Sequence, residues 1–286
     1  MLTYITDDVC EGTWGGEQND SVLLNICKQN IDDDLIAINS SYLFNKNAIE
    51  FLKTRSSGGF IVSSFLHIPS TQENPCMQYI MDHGNYVVYE HEHKYTANNN
   101  PVVYKNCKVP LDLLQHTDVY VKANAVFCQS EAHANAVRVN IPAANVINLS
   151  GNLGASSHLD ALQDLQLKEK LKEVAVYKSD HPYKNTQYNV DFCKRKKWAY
   201  TLLGDLSPDV FMQKLAACRA FVYFPGWLET LNREAVECRM LGVPVITNKL
   251  LGAAGEPWFK LEKSDLIDIM RAKREEIPNK VIGALR

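Results

Sequence analysis

The chain lacks any C-x-x-C pair despite its 8 cysteines, and no Cys/His spacing suits zinc, so no metal site is expected. Several cysteines instead sit inside apolar runs, as in "NAVFCQS" and "LAACRAF", where they read as small core residues. No apolar run approaches membrane-spanning length, so no integral membrane contact is expected. The opening "MLTYITDDVCEG" places acids where a secretory leader needs cationic and apolar regions. Charge of one sign is also in short supply: the formal net charge is -3, and no global field favours nucleic acid or anionic lipid. The dinucleotide pattern G-x-G-x-x-G is missing, which argues against an NAD enzyme. Repeats and low-complexity tracts are absent. Together these absences predict a reduced, cytoplasmic protein.

What is present is alternation. The 286 residues, 46% of them hydrophobic, leave room for two cores. Short β-rich runs, "MLTYIT", "LIAINS", "GGFIVSSFL", "NYVVYE" and "NAVFCQS", then "KEVAVYK", "WAYTLLG", "AFVYFPG" and "VPVITN", are the expected strands. Helical patterns separate the later ones, in "NTQYNVDFCKRKK", "DVFMQKLAACR" and "NREAVECRML". Such alternation predicts an α/β protein with parallel sheets covered on both faces. The segments "IPSTQENPCMQYIMDHG" and "TANNNPVVYKNCKVP" read as long irregular loops. A cluster of Gly, Ser and Asn in "NLSGNLGASSHL" predicts a boundary, giving Rossmann-like domains over 1–150 and 151–265. The tail, 266–286, reads as a helix broken at Pro278 that packs back on the first domain. The basic run Lys194–Lys197 follows a helical segment, where cations suit the negative end of the dipole, with a polyanion site as the alternative reading.

Ligands of open parallel sheets collect beyond the carboxyl ends of the strands, so the residues following each strand carry the chemistry. After "MLTYIT" come Gly12, Gly15 and Gly16, which suit either a tight turn or a close backbone approach to a ligand. After "NYVVYE" come His91 and His93, which a continuing strand would point to one face as polar donors or as a structural pair. After "KEVAVYK", Lys178 and Lys184 bracket a loop; both can neutralise a diphosphate, or remain solvated surface cations. After "AFVYFPG" comes "WLETLN" and a helix. Its first-turn N–H groups, around Leu231, Asn232 and Arg233, favour an anion. Glu229 stands in the loop and Glu237 two turns on, where a carboxylate can accept the hydroxyls of a ribose. Glu229 is also the acid that a helix dipole favours near its N-terminus.

The stretch "FPGWLETLNREAVECRMLGVPVITN" resembles the E-x7-E signature of retaining, class-4 glycosyltransferases of the GT-B fold, through Glu229, Glu237, Gly242, Pro244, Val245 and Ile246. "LLGAAGE" is similar to a further glycine loop of that group, "GGEQND" to its glycine loop after the first strand, and "VVYEHEHKY" to the strand that ends in a histidine, here His91. "VFCQSEAHANAV" resembles the stretch that carries a serine, here Ser130. Three departures stand out: Thr230-Leu231-Asn232 replaces F-G-L, Cys238 follows the second acid in place of Ala, and Lys178 and Lys184 are spaced one residue wider than the usual R-x4-K pair.

The resemblance implies two Rossmann-like domains facing across a cleft, the first binding the acceptor and the second a nucleotide-sugar. It implies retaining, metal-independent sugar transfer without a cofactor, to a glycan, a small molecule or a modified nucleic-acid base. Lys178, Lys184 and the amides near Leu231 and Asn232 would hold the diphosphate, Glu237 the ribose and Glu229 the donor sugar. His91 would contact the sugar or the transition state, and Gly15 and Gly16 would let the first domain close over the phosphates. An epimerase or phosphorylase on the same paired domains, or a non-catalytic nucleotide-sugar-binding protein, are the alternatives.

Overall fold

The computed structural model describes residues 1–7, 15–30 and 34–285. Two compact units emerge, one formed by Met1–Leu153 with Lys273–Arg286, the other by Gly154–Ala272. The first holds a sheet of six strands: β1 (Thr3–Thr6), β2 (Ile36–Asn39), β3 (Phe60–Val62), β4 (Tyr86–Tyr89), β5 (Val126–Cys128) and β6 (Val146–Asn148). The second holds four: β7 (Val174–Tyr177), β8 (Tyr200–Leu203), β9 (Ala220–Val222) and β10 (Val245–Ile246). Every pairing is parallel. The α/β reading is borne out, with β6 added from "NVINLS", a run not expected as a strand.

Both sheets are wound alike. The orders are β2-β1-β3-β4-β5-β6 and β8-β7-β9-β10, so the chain reverses direction between β1 and β3 and again between β7 and β9. Those are the switch points where the loops diverge and open a crevice. Helices α1 (Gly15–Asn30), α2 (Ala48–Arg55), α3 (Pro75–His83), α4 (Thr117–Lys122) and α5 (Glu131–Asn140) belong to the first unit. The second has α6 (Ser156–Leu165), α7 (Thr186–Arg195), α8 (Pro208–Ala217) and α9 (Arg233–Met240), and α10 (Lys263–Gly283) completes the chain. No helix among the described residues is long and apolar enough to cross a membrane.

Each sheet is buried on both faces, which is why its strands read as near-continuous apolar runs. In the first unit Ile5, Val62, Val88 and Val126 join one core, while Tyr4, Ile61, Val87 and Phe127 join the other. Ala175 and Phe221 divide from Val174, Val176 and Val222 in the same way in the second.

Two expectations are corrected here. The supposed loop at 68–84 contains α3: Asn74 caps it by accepting from Cys76 and Met77 N–H, Pro75 opens it, and Gly84 ends it at φ 73°. Its buried residues, Cys76, Met77, Ile80 and Met81, supply the apolar stripe. Nor does Pro278 break the last helix, since α10 runs through it to Gly283. An interior proline costs about 3 kcal/mol, but burial of Ile277, Val281 and Leu285 in the first unit's core offsets it at roughly 1.5–3 kcal/mol each.

Candidate functional site

In the second unit the loops following β7 and β9 are tied together at the switch point. Gly226 N–H donates to Tyr183 C=O (2.8 Å), and Asn185 Nδ2 to Phe224 C=O (3.1 Å). Asn185, at φ 51°, ends the turn at 182–184 and starts α7, which leaves Lys184 facing the β9 loop. Lys184 Nζ donates to Glu229 Oε1 at 2.9 Å, and the Tyr223 hydroxyl donates to the same oxygen. The ammonium also lies 6.0 Å from the ring centre of Tyr177 and 5.8 Å from that of Tyr223, within cation–π range. Glu229 is pinned through its backbone, with N–H donating to Leu250 C=O (2.9 Å) and C=O accepting from Gly252 (3.0 Å).

Both charges survive burial. Burial pushes the Glu229 carboxyl up, but the Lys184 ammonium and the Tyr223 hydroxyl bring it below the ordinary range. Burial pushes Lys184 down, and Glu229 with Glu234 more than reverses this, so its value is raised. Lys178 is placed differently: its Nζ donates to Asp205 Oδ2 at 2.6 Å in an exposed pair. The structure thus brings Lys184 to Glu229 and gives Lys178 a separate partner.

Glu237 lies about one turn inside α9, because the helix begins at Arg233 rather than near Leu231. Leu231 is buried in the core and its C=O accepts from Ala253 N–H. Asn232, at φ 75°, caps the helix by accepting from Ala235 N–H. That side chain satisfies a first-turn donor that lies past the amides expected around Leu231, Asn232 and Arg233. Glu237 is 1% exposed. Its Oε1 lies 2.6 Å from His158 Nε2 and 3.0 Å from Arg233 Nε, while Oε2 is buried with no hydrogen-bond partner among the described residues. Burial pushes this carboxyl up too, but Arg233 and His158 hold it below the ordinary range.

In the first unit Gly15 and Gly16 open α1, while Gly12 lies outside the described residues. Because β4 ends at Tyr89, His91 and His93 are not on a strand and diverge. His93 Nδ1 meets the Tyr95 hydroxyl (3.1 Å), and its ring packs edge-on to buried His133. His91 Nε2 instead lies 2.5 Å from Asp20 Oδ1, and its Nδ1 lies 2.8 Å from Gln129 Nε2. Ser130 caps α5 by accepting from His133 N–H. No group of three or more His, Cys, Asp or Glu converges as a metal site would require among the described residues.

Sequence reasoning missed Asp20, Tyr223 and His158. Asp20 had a signal: it shares the buried stripe of α1 with Leu23 and Cys27, three and seven positions on. Tyr223 carried only the signal of a polar tip in an apolar run, and His158 carried none, since its partner Glu237 is 79 residues away.

No known family profile and no curated protein matches the chain. Solved structures do. HepE from Anabaena, in complex with UDP, aligns at TM-score 0.52 and 13% identity over 99% of this chain and 93% of its own. An alpha-glucosyltransferase in complex with UDP and a 13-mer DNA containing an HMU base aligns at 0.52 and 10% identity, over 100% and 95%. An alpha,alpha-trehalose-phosphate synthase (UDP-forming) from Burkholderia vietnamiensis aligns at 0.54 and 10% identity, over 100% and 93%. With its two parallel-sheet units, the chain has the α/β fold of the GT-B glycosyltransferases.

Proposed function

We propose that this protein is a glycosyltransferase that moves a sugar from a UDP-sugar to an acceptor hydroxyl with retention at the anomeric carbon. The observation that carries the reading is Glu237: a fully buried carboxylate whose Oε2 has no partner in the chain among the described residues. An orphaned buried acceptor costs about 1–3 kcal/mol, so a site retains one where a ligand supplies the donor. Vicinal ribose hydroxyls supply two. Three further facts support the reading: the Lys184–Glu229 pair at the switch point, the E-x7-E resemblance, and the UDP named for structural neighbours that share the fold.

In this reading Lys184 neutralises the diphosphate and Glu229 orients the donor sugar. To His91 we assign a role toward the transferred sugar or the transition state. The bond from the anomeric carbon to the phosphate oxygen breaks, and one to the acceptor oxygen forms. The acceptor's proton passes to the departing diphosphate. Such a leaving group needs charge stabilisation more than a protein acid, so the two glutamates are not a glycosidase pair.

Thermal-shift measurements with UDP-, GDP-, ADP- and TDP-glucose test the donor. The expected result is a raised midpoint with UDP-glucose that Glu237→Ala abolishes. No shift with any of the four, or a shift that Glu237→Ala leaves intact, would overturn the assignment. Transfer assays on glycan, small-molecule and base acceptors then separate a transferase from a binding protein.

A further inference from the structure

Asp20 is an acid where packing asks for an apolar residue. It faces inward from α1 at 5% exposure and gathers donors from the carboxyl ends of neighbouring strands. The Tyr4 hydroxyl donates to Oδ1 (2.8 Å), the Thr6 hydroxyl to Oδ2 (3.0 Å), and the Ser63 hydroxyl lies within reach of both (2.8 and 2.7 Å). The His91 ring completes the set at 2.5 Å. Residues of β1, the residue after β3 and a residue beyond β4 therefore meet on one carboxylate at the first sheet's switch point. The Tyr89 ring stands edge-on to His91 (4.7 Å, 87°), and the Gln129 amide closes the opposite side of the imidazole.

This arrangement dictates where the proton sits. The His91 and Asp20 side chains are 7% and 6% exposed, so water does not separate them. A carboxylate oxygen 2.5 Å from an unprotonated ring nitrogen would bring two lone pairs together in a dry site. Nε2 therefore carries a hydrogen and donates it to Asp20. In the neutral ring Nδ1 is then the acceptor, matched by the Gln129 amide N–H.

We propose that Asp20 is a positioning residue for His91. It holds the proton on Nε2 and presents Nδ1 as the nitrogen toward the sugar, with the Gln129 amide as the neutral partner that a sugar hydroxyl replaces. The inference rests on the glycosyltransferase reading for its functional half and on geometry alone for its structural half. A purely packing role at position 20 would be served as well by asparagine, which has the same shape and still accepts hydroxyl donors. Only the charge and the two-sided acceptor capacity are lost, and those are what fix the imidazole.

Two-bond proton–nitrogen correlation spectra of uniformly 15N-labelled protein read the histidine tautomers directly, with His91 identified by its loss in His91→Gln. The wild-type ring is expected to show a protonated Nε2 and an unprotonated Nδ1. In Asp20→Asn that pattern is expected to give way to mixed tautomers. Turnover of whichever of UDP-, GDP-, ADP- or TDP-glucose the wild type consumes is expected to fall on the order of 10- to 100-fold, as when an imidazole loses its orienting partner. KM for the donor is expected to stay within about twofold, since the loss lies in orientation rather than ground-state binding. A wild-type ring protonated on Nδ1 alone overturns the proposal whether or not Asp20→Asn folds. So does an Asp20→Asn protein with unchanged His91 signals and turnover. Tautomers that respond to Asp20→Asn in a protein that consumes none of the four donors uphold the positioning and sink the glycosyltransferase reading instead.

Discussion

Glu229 and Glu237 stand eight positions apart, yet their surroundings differ. Glu229 faces a lysine and a tyrosine hydroxyl that converge on one oxygen, whereas Glu237 faces a histidine and an arginine and its second oxygen has no partner among the described residues. If Lys184 meets the diphosphate, Lys184→Ala and Glu229→Gln should each lower transfer by at least about a hundredfold, or roughly 2.7 kcal/mol. Circular dichroism checks that each variant is folded. Lys178→Ala, whose cation already pairs with exposed Asp205, should leave turnover within about threefold, because exposed pairs contribute little. Steady-state kinetics on the three variants orders them; equal losses for Lys178 and Lys184 would return Lys178 to the site. The sequence showed these lysines as equivalent cations on one loop. What separates them is which acid lies across from each, and those acids come from different strand ends.

At the scale of elements, the strands of both sheets were legible because burial on two faces leaves runs of apolar, β-branched residues. β6 escaped notice because its three residues, Val146–Asn148, are only partly buried and follow a proline-containing loop. α3 was readable in principle from Asn74-Pro75 and Gly84 and was obscured by nearby polar residues. Its cap is testable: Asn74→Ala removes an acceptor shared by two amides and should cost about 1 kcal/mol in urea unfolding. Pro278 offers the converse. The helix continues past it, so Pro278→Ala restores an amide donor and should raise stability by about 1–3 kcal/mol by the same measurement. A destabilised Pro278→Ala protein would mean that the proline ring itself packs the end of α10.

For the whole molecule the buried charges set the response to pH. Asp20, Glu229 and Glu237 are each held below the ordinary carboxyl range against the upward push of burial, by His91, Lys184 and Arg233 respectively among other partners. Folded values below unfolded ones mean that the unfolded chain binds more protons as the medium turns acidic. Their contribution is complete above the ordinary carboxyl range and is lost as pH falls through it toward the folded values. Lys184, held above the usual lysine range, loses its contribution only as pH rises through its folded value. Urea midpoints should therefore be level near neutrality and fall as pH drops below about 5, where the carboxyls of the unfolded chain begin to take up protons. A midpoint that stays level across that acid range would show these carboxylates to be uncoupled from folding.

The sequence by itself determined the α/β class, the parallel strands and the segment carrying both glutamates, because periodicity and burial are local properties of the chain. Only the tertiary structure decided that Lys184 meets Glu229 across 45 positions, that His158 meets Glu237 across 79, and that Asp20 meets His91 across 71. A contact between distant residues depends on strand order and on where each loop leaves its sheet, and neither has a local signature.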